Sequence, residues 1–350
     1  MKNFSSITHF SEFDGHKIVS SLYDEKTGLQ GFIAIHRGGF QHPAFGATRL
    51  WQYSASEDAL KDALRLSRMM SYKSALAGLP YGGGKAVIME PQGSTWHRAA
   101  LLRAYAQRVN YLQGHFITGT DVGLSASDVK MMSRVSPFMI GTKSDPTIFT
   151  ALGISHGLQA CLKEVFGTKD FHGRSFAIQG VGKIGTALLD LVYSHAERIF
   201  ISDINANSLA VAKRRFPRAH VVKPQDIHRQ KVDVFSPCAM SGTINPKSIH
   251  ELHCAIVAGG ANNQLASEEA GDALWKKGIL YAPDYVLNAG GLICVTDEYE
   301  HKGHARERVM QKVSRIGRTL TTILAKSKTR HVPPHRIANE MAEKIMHKMI

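Results

Sequence analysis

The sequence has few cysteines and no long hydrophobic stretch. No run of about 18 apolar residues occurs, so we expect no membrane-spanning helix and no membrane partner. Residues 1–6 lack an apolar segment, so we expect no signal peptide and a cytoplasmic location. The few thiols are scattered without metal-ligand spacing, which argues against a disulfide framework and predicts reduced, mostly buried thiols. They are Cys161, Cys238, Cys254 and Cys294.

Metal-binding motifs and acidic charge are also scarce. The 18 histidines form no HExxH or HxxxE pattern, so we expect no catalytic metal. The net charge is +14, which favours anionic ligands or nucleic acid. The densest basic stretches, 213–215 and 301–348, lack the interleaved aromatics of a single-strand binder. We interpret them as solvated surfaces and expect no nucleic-acid partner.

One continuous segment contains every part of a dinucleotide-binding unit. The motif GxGxxG at 180–185 follows an apolar stretch at 175–179 and precedes an apolar helical pattern at 186–192. Asp203 ends the next apolar stretch. In such a unit the glycines and helix start face the diphosphate, and the acid accepts hydrogen bonds from the ribose hydroxyls. The predicted contacts are Gly180, Val181, Gly182, Lys183, Ile184, Gly185, Asp203 and Ile204.

The cofactor choice follows from Asp203. A carboxylate at this position repels a 2′-phosphate, and neither Ile204 nor Asn205 offers a cation to offset it. The sequence therefore predicts NAD in preference to NADP. A glycine turn in some other α/β fold is the alternative.

Alternating strand and helix patterns predict an α/β fold with two domains, for which 350 residues are sufficient. Strand patterns at 220–222, 232–235, 254–258 and 279–281 predict a parallel, doubly wound sheet. Three of the loops that follow them, at 236–239, 259–263 and 283–284, are expected to line a cofactor crevice. A hinge at 141–146 and a basic helix at about 305–326 suggest the division. We predict a substrate domain at 1–145 plus about 327–350, a Rossmann domain at 146–326, and an active site in the cleft between them.

A second chemical signal is the pair Lys73 and Lys85, separated by small residues and three consecutive glycines at 82–84. The spacing differs from that of a P-loop, and Ala86 stands where a P-loop has a hydroxyl residue. If Lys85 folds towards Lys73, mutual repulsion and burial both favour a neutral lysine, as a general base requires. Two solvated lysines beside a flexible glycine loop are an equally supported alternative on spacing alone.

Together with further motifs, this segment resembles the Glu/Leu/Phe/Val dehydrogenases, which are NAD(P)-dependent amino-acid dehydrogenases. The resemblance is closest to the leucine and phenylalanine branch and its tryptophan-using relatives. It spans about residues 30–345, with similar elements in family order at 45–49, 69–85, 118–123, 144–146, 180–203, 258–264 and 281–291. It implies an N-terminal domain that also mediates oligomerisation, and hence a homo-oligomer, a dimer or larger.

The resemblance also implies residue roles. Lys73 would bind the substrate α-carboxylate, Lys85 would activate water, and Asp121 would carry protons to and from the amine. The backbone of Gly46 and the side chain of Asn288 would fix the substrate. Towards the nicotinamide, the predicted cofactor contacts are Thr150, Cys238, Ala239, Ala261, Asn263 and Asn288. Two alternatives stay open. Asp121 could cap a helix that begins near Ser125, and Asn288 could be only a turn residue before Gly290 and Gly291.

The implied reaction is the reversible oxidative deamination of an L-amino acid to a 2-oxo acid and ammonia. Phe45 and Gly119 depart from the leucine-enzyme pattern, in which an aliphatic residue and an alanine are common. Extra room at Gly119 and a ring at Phe45 favour an aromatic substrate over a branched aliphatic one, which is the alternative. The pocket is predicted to include Phe45, Met70, Gly119, Val313 and Ile316. A non-catalytic, NAD-responsive polyanion-binding protein is a remote alternative.

Overall fold

Two β-sheets, each with six strands, organise the chain. The structure is a computed structural model that describes residues 7–39, 42–93, 96–143, 145–239, 241–303 and 305–348. It divides into a first unit, Met1–Asp145, Val295–His304 and Ala342–Ile350, and a second unit, Pro146–Cys294 and Ala305–Met341. Ser144, which belongs to the predicted hinge and to one family-like motif, lies outside the described residues.

The first unit contains a mixed sheet in the order β1-β2-β5-β3-β6, with β4 also paired to β5. Strand β2 pairs antiparallel with β1 on one side and with β5 on the other, whereas β3 and β4 run parallel to β5. The strands are β1 Ile18–Asp24, β2 Leu29–Ile35, β3 Ala44–Phe45, β4 Thr48–Trp51, β5 Gly82–Met89 and β6 Phe116–Ile117. The helices are α1 Ser56–Leu76, α2 Arg98–Asn110 and α3 Ala126–Met132, and a 3-10 helix spans Ile7–His9.

Helices cover both faces of this first sheet, as the alternation of side chains along a strand requires. Val87 packs on one face with Leu64 of α1. The next residue, Ile88, packs on the opposite face with Leu101 and Tyr105 of α2. The buried core therefore lies in two layers, and β5 runs through the middle of the sheet.

The second unit contains a parallel sheet in the order β12-β11-β10-β7-β8-β9. Counted from β7, this is the 3-2-1-4-5-6 order of a dinucleotide-binding fold, so the predicted doubly wound Rossmann domain is confirmed. Its strands are β7 Ser175–Gln179, β8 Arg198–Ser202, β9 His220–Val221, β10 Val232–Pro237, β11 Cys254–Val257 and β12 Leu280–Tyr281.

Helices separate these strands and complete the second unit. They are α4 Thr147–Phe166, α5 Lys183–Val192, α6 Ala206–Arg215, α7 Pro246–Glu251, α8 Glu268–Lys276, α9 Asp284–Leu287, α10 Gly290–His301, α11 Arg306–Arg330 and α12 Pro334–Lys348, with a 3-10 helix at Ile227–Arg229. The last residues of α10 and α12 are assigned to the first unit. Among the described residues, no helix combines the length and apolar character needed to cross a membrane.

The three consecutive glycines belong to a strand, which excludes the alternative of a flexible glycine loop. Strand β5 begins at Gly82, and its burial is nearly complete. A Cβ on Gly83 would overlap the backbone nitrogen of Ser71 in α1, and one on Gly84 would lie 2.7 Å from the ring of Phe116. The glycines therefore let the strand pack directly against a helix backbone and an aromatic ring.

Candidate active site

Lys85 and Asp121 form a mostly buried ion pair in the first unit. Lys85 lies on the central strand β5, and its Nζ is 2.5 Å from Oδ2 of Asp121. The exposed fractions of the two side chains are 7% and 14%. The segment after β6 runs beside β4, since the N–H of Thr48 donates to the carbonyl of Gly119 at 3.0 Å. Because β4 in turn pairs with β5, this packing brings Asp121 to Lys85.

Arg49 on β4 is a second cation at the same carboxylate, and sequence reasoning missed its role. Its Nε lies 3.3 Å from Oδ2 of Asp121, and its Nη1 lies 2.7 Å from Oδ2 of Asp62 on α1. Burial opposes ionisation of Asp121, but the charges of Lys85 and Arg49 outweigh it and lower the pKa of Asp121 to about 2. Asp121 is therefore a carboxylate at neutral pH.

Asp121 does not cap the following helix, so that alternative is wrong. The hydroxyl of Ser125 accepts from the N–H of Asp128, and the carboxylate of Asp128 accepts from the N–H of Ser125 in return. This reciprocal capping box begins α3 without help from Asp121. The side chain of Asp121 is left to face the two cations.

Lys73 and Met70 lie one turn apart near the end of α1, and both are partly exposed. The N–H of Gly83 donates to Oγ of Ser71 at 2.9 Å, which fixes β5 against this turn. The structure places the carboxylate of Asp121 against the Lys85 ammonium, and the conditional effect of Lys73 on Lys85 stays a prediction. The carboxylate-binding role of Lys73 stays a prediction.

Phe45 belongs to a cluster of three aromatic rings in the first unit. It is 1% exposed on β3, with its ring centroid 4.4 Å from that of Tyr81 and 5.2 Å from that of Tyr299. The hydroxyl of Tyr81 donates to Glu300 at 3.0 Å. Sequence reasoning found Phe45 but not its two aromatic neighbours, one of which is distant in the chain.

Two neighbouring glycines are fixed by the sheet. The N–H of Gly46 donates to the carbonyl of Ile117 at 3.0 Å, so this N–H is already engaged. A Cβ on Gly119 would lie 2.9 Å from the carbonyl oxygen of Ile140, which gives a packing reason for glycine there. The predicted contacts of both glycines with substrate stay predictions.

Val313 and Ile316 lie in the second unit on α11, and both are buried. The Cδ1 of Ile316 lies 2.7 Å from where a Cβ on Gly153 would stand, so this isoleucine packs closely on α4. Their place beside a substrate side chain also stays a prediction.

The glycine loop of the second unit has the geometry that a diphosphate needs. Gly180 has a φ of +93°, and α5 begins at Lys183 with Gly182 at its N-cap. No side chain among the described residues caps this helix, and no described atom lies within 4 Å of a Cβ built on Gly182. The uncapped N–H groups and the open space fit an anionic ligand.

Asp203 lies beside the same loop, at the end of β8. Its Oδ2 accepts from the N–H of Val181, and its Oδ1 accepts from the N–H of Asn205, both at 2.8 Å. Each oxygen keeps lone-pair capacity for a further donor. Ile204, which follows, is 88% exposed. The acid is therefore held next to the turn, as a ribose-binding acid is.

The remaining predicted cofactor residues follow other strands or start α4. Three are placed by backbone contacts: the N–H of Cys238 donates to Gln179, the N–H of Ala261 donates to Pro237, and Ala239 lies against Gly180. Asn263 has a φ of +50°, an uncommon value for a residue other than glycine. The hydroxyl of Thr150 donates to the carbonyl of Pro146 at 3.0 Å.

Asn288 bonds to a different loop, which argues against a purely local turn role. Its Nδ2 donates to Oδ1 of Asn262 at 2.9 Å and to the carbonyl of Gly260 at 3.3 Å. Its Oδ1 is buried and has no donor among the described residues. A buried amide oxygen without a donor fits a site that a ligand completes.

Among the described residues, one group of three or more potential metal ligands has all its ligand atoms close together. Asp297, Glu300 and His301 on α10 bring three ligand atoms within 4.8 Å of one another. Glu300 already accepts the hydroxyl of Tyr81. The expected absence of a catalytic metal stays a prediction.

Comparisons with known proteins agree with this arrangement. The family model described as Glu/Leu/Phe/Val dehydrogenase, dimerisation domain, matches residues 18–143. A second, described as Glutamate/Leucine/Phenylalanine/Valine dehydrogenase, matches residues 202–349. The chain belongs to the Glu/Leu/Phe/Val dehydrogenase family, as an amino-acid dehydrogenase of the leucine, phenylalanine and tryptophan branch. It is therefore an oxidoreductase, and the resemblance inferred from the sequence is confirmed.

The similar proteins span almost the full length of the chain. It is 38% identical to leucine dehydrogenase of Geobacillus stearothermophilus, covering 95% of this chain and 91% of that protein. It is 40% identical to phenylalanine dehydrogenase of Bacillus thermotolerans, covering 96% and 90%. The crystal structure of L-tryptophan dehydrogenase from Nostoc punctiforme matches with a TM-score of 0.80 and 39% identity, covering 96% and 97%.

Proposed function

We propose that the protein catalyses the NAD-dependent, reversible oxidative deamination of an apolar L-amino acid to its 2-oxo acid and ammonia. The observation that carries this proposal is the Lys85–Asp121 pair, in which an ammonium and a carboxylate lie 2.5 Å apart with little solvent. Deamination needs water to attack an iminium carbon while protons leave and arrive. A lysine beside a carboxylate supplies an acceptor and a second carrier for those protons.

The first unit supplies the acid–base groups. Lys73 binds the α-carboxylate and orients Cα. Lys85 first passes its ammonium proton to Asp121 and then, as the neutral amine, takes a proton from the water that attacks the iminium carbon. Asp121 passes the proton that it received to the departing amine. Arg49 keeps Asp121 ionised between these transfers. Hydrolysis then releases ammonia and leaves the 2-oxo acid.

The second unit supplies the nucleotide site. When bound, NAD provides the acceptor for the hydride that leaves Cα. The N–H groups at the start of α5 would bind the diphosphate, and the carboxylate of Asp203 would accept hydrogen bonds from the ribose hydroxyls. Asp203 already accepts from two backbone N–H groups, so a 2′-phosphate would meet a carboxylate, and the next two residues, Ile204 and Asn205, carry no positive charge. This supports NAD over NADP.

The aromatic cluster supports an aromatic substrate such as phenylalanine or tryptophan. Phe45 packs against Tyr81 and Tyr299, and such a wall accommodates a further ring by offset or edge-to-face stacking. Branched aliphatic amino acids are the second candidate, favoured by the 38% identity to a leucine dehydrogenase. A hydrophobic pocket separates substrates that differ by one methylene by only about 1–3 kcal/mol, so we expect overlapping activity.

The test is the rate of NADH formation with a panel of amino acids, and of NADH consumption with 2-oxo acids plus ammonia. We expect the highest kcat/KM with an aromatic amino acid. Lys85→Ala should lose turnover while NAD binding, followed by fluorescence, persists. Lys130→Ala, which removes an exposed lysine of α3, is the matched control. Normal turnover by Lys85→Ala, or none by the wild type with any apolar amino acid, would overturn the proposal.

We also propose that the protein is a homo-oligomer assembled through the first unit. The support is the match of residues 18–143 to a domain described as a dimerisation domain. The edge strand β1 exposes Tyr23 by 60%, an unusual amount for an aromatic side chain. Sedimentation velocity at several concentrations tests this, and a monomer throughout would contradict it.

A further inference from the structure

Three exposed side chains at the amino end of the second sheet take no part in the proposed reaction. His172 lies in the turn that leads into β7, and His195 lies in the turn between α5 and β8. Asp170 precedes His172 by two residues. The exposed fractions of His172 and Asp170 are 65% and 58%, so solvent reaches them directly. The glycine loop lies at the opposite, carboxyl end of β7.

The spacing of the two imidazoles suits a shared metal ion. Nε2 of His172 and Nδ1 of His195 are 3.3 Å apart, and the rings are inclined by 74° with centroids 4.7 Å apart. The two nitrogens share a hydrogen bond at the long end of the usual range of distances. Two nitrogens bound to one tetrahedral ion at about 2.0–2.1 Å are separated by about 3.3 Å. An ion can therefore take the place of this hydrogen bond without a change in the separation of the two nitrogens.

Asp170 fixes the ring of His172 in the form that a metal requires. Oδ1 of Asp170 lies 2.7 Å from Nδ1 of His172 and 3.0 Å from its backbone nitrogen. Because the same carboxylate oxygen accepts from the backbone N–H of His172, it also faces Nδ1 as an acceptor, and Nδ1 of His172 is the donor. Nε2 therefore keeps its lone pair on the side that faces His195. In carboxylate–histidine–metal arrangements, a carboxylate likewise accepts from the ring nitrogen that does not bind the metal.

The two turns are also fixed to each other before any ion arrives. The N–H of Glu197 donates to the carbonyl of Arg174 at 2.9 Å, which joins the turn of His195 to that of His172. Within its own turn, the N–H of His195 donates to Val192 at 3.1 Å. Little backbone ordering is therefore needed for both rings to bind one ion.

We propose that His172 and His195 form a surface site for a divalent transition-metal ion such as Zn²⁺, Ni²⁺ or Cu²⁺, with Asp170 as the positioning residue. Imidazole nitrogens select these ions over Mg²⁺ or Ca²⁺, which prefer oxygen ligands. Two metal–nitrogen bonds form, the proton on Nδ1 of His195 moves to Nε2 of the same ring, and water completes the coordination. The ion joins the segment before β7 to the end of α5, and thus braces the unit that carries the glycine loop.

The test uses the metal-free, full-length protein. Isothermal titration with Zn²⁺ should show one ion per chain, and Cu²⁺ should give an electron paramagnetic resonance spectrum with coupling to two imidazole nitrogens. His172→Gln and His195→Gln should each weaken binding at least tenfold. Asp170→Asn should weaken binding by about tenfold, which is the usual effect of losing a carboxylate that hydrogen-bonds to a metal-binding histidine. Zn²⁺ should raise the Tm of the wild type but not that of His195→Gln.

Two control variants locate the site. His250→Gln removes an exposed histidine of α7, and His301→Gln removes the imidazole near Asp297 and Glu300. Both should bind Zn²⁺ as the wild type does. The proposal is overturned if the wild type binds no ion, if His301→Gln abolishes binding, or if His172→Gln and His195→Gln both retain it. Melting curves without metal check that the variants fold, and His195→Asn replaces any that do not. Deaminating activity is not a readout, so the result is independent of the proposed function.

Discussion

Nζ of Lys85 lies 2.5 Å from Oδ2 of Asp121, and both side chains are largely shielded from water. The acid of this pair has a pKa of about 2, because two cations outweigh the effect of its burial. It is therefore available as a proton acceptor at every pH at which the protein is expected to work. The pair can receive a proton from an amine or a water without first losing one.

Asp121→Asn tests this relationship. Asparagine preserves the shape of the side chain and can accept from Lys85, but it cannot carry a proton. We expect kcat to fall by about 10²–10³-fold while NAD affinity stays within about twofold, since proton transfer contributes on that scale. Steady-state rates and NAD binding measure both. Asp226→Asn, on the second unit, is the control, and a kcat within threefold of wild type would contradict the assignment.

Arg49 and Arg65 form a matched pair around Asp62. Arg49 contacts both Asp62 and Asp121, whereas Arg65 binds only the other oxygen of Asp62, at 2.6 Å. We expect Arg49→Gln to raise the pKa of Asp121, move the acidic limb of the pH–rate profile upward and lower kcat about tenfold. Arg65→Gln should leave the profile in place. Equal shifts in the two variants would show that Arg49 acts only through folding.

The nucleotide site was predictable from sequence because its parts are contiguous. Strand, glycine turn, helix and acid lie within residues 175–203, so local periodicity and spacing were sufficient. The Lys85–Asp121 pairing was implied only by the family resemblance, since 36 residues separate the two. Nothing local indicates which strands pair, and this pairing decides which side chains meet.

Arg49 and the glycines of β5 show why the sequence could not identify the tertiary contacts of the site. Arg49 stood in a family-like motif, but its partners come from α1 and from the segment after β6. Three consecutive glycines indicate that something approaches the backbone closely, but the sequence does not show that at Gly83 the neighbour is the backbone of α1. Both properties arise from tertiary packing, which periodicity within one segment does not report.

Gly182 and Gly185 should respond differently to the same substitution. A methyl group at Gly182 meets no described atom within 4 Å, and φ there is −69°, which alanine adopts freely. Gly182→Ala should therefore keep the Tm of the wild type but weaken NAD binding at least tenfold, because the methyl occupies the diphosphate's space. At Gly185 a methyl would overlap the carbonyl of Gly180, so Gly185→Ala should unfold at lower temperature. Thermal melts and NAD titrations separate the two effects.

Asp203→Ala tests the choice between the two nicotinamide cofactors. Loss of the carboxylate removes the ribose acceptor and the repulsion of a 2′-phosphate. Hydrogen bonds to a charged group contribute about 1.5–3 kcal/mol, so we expect KM for NAD to rise about 10- to 100-fold while KM for NADP falls or stays constant. Asn205→Ala, at the N-cap of α6, is the control for damage to this loop. An unchanged NAD/NADP ratio would exclude Asp203 from cofactor recognition.

His36 should make the stability of the first unit depend on pH. It is fully buried, and its Nε2 lies 2.9 Å from Oδ2 of Asp14. Burial, with the charges of Arg37 and His16, outweighs the favourable effect of Asp14 and lowers the pKa of His36 from 6.5 to about 3. Between these values the unfolded chain binds a proton at His36 and the folded chain does not. The free energy of unfolding therefore falls as the pH falls through this window, by at most about 1.4 kcal/mol per pH unit.

His36→Gln keeps a donor for Asp14 and removes the titration. We expect its free energy of unfolding, measured by urea denaturation from pH 7 to pH 4, to fall less steeply than that of the wild type. His97→Gln, which removes an exposed histidine, should follow the wild-type slope. The neighbouring His16, whose pKa burial also lowers, remains in both variants, so a residual slope is expected. Parallel curves for His36→Gln and wild type would mean that His36 is not the group that couples folding to protons, since only its own titration differs between them.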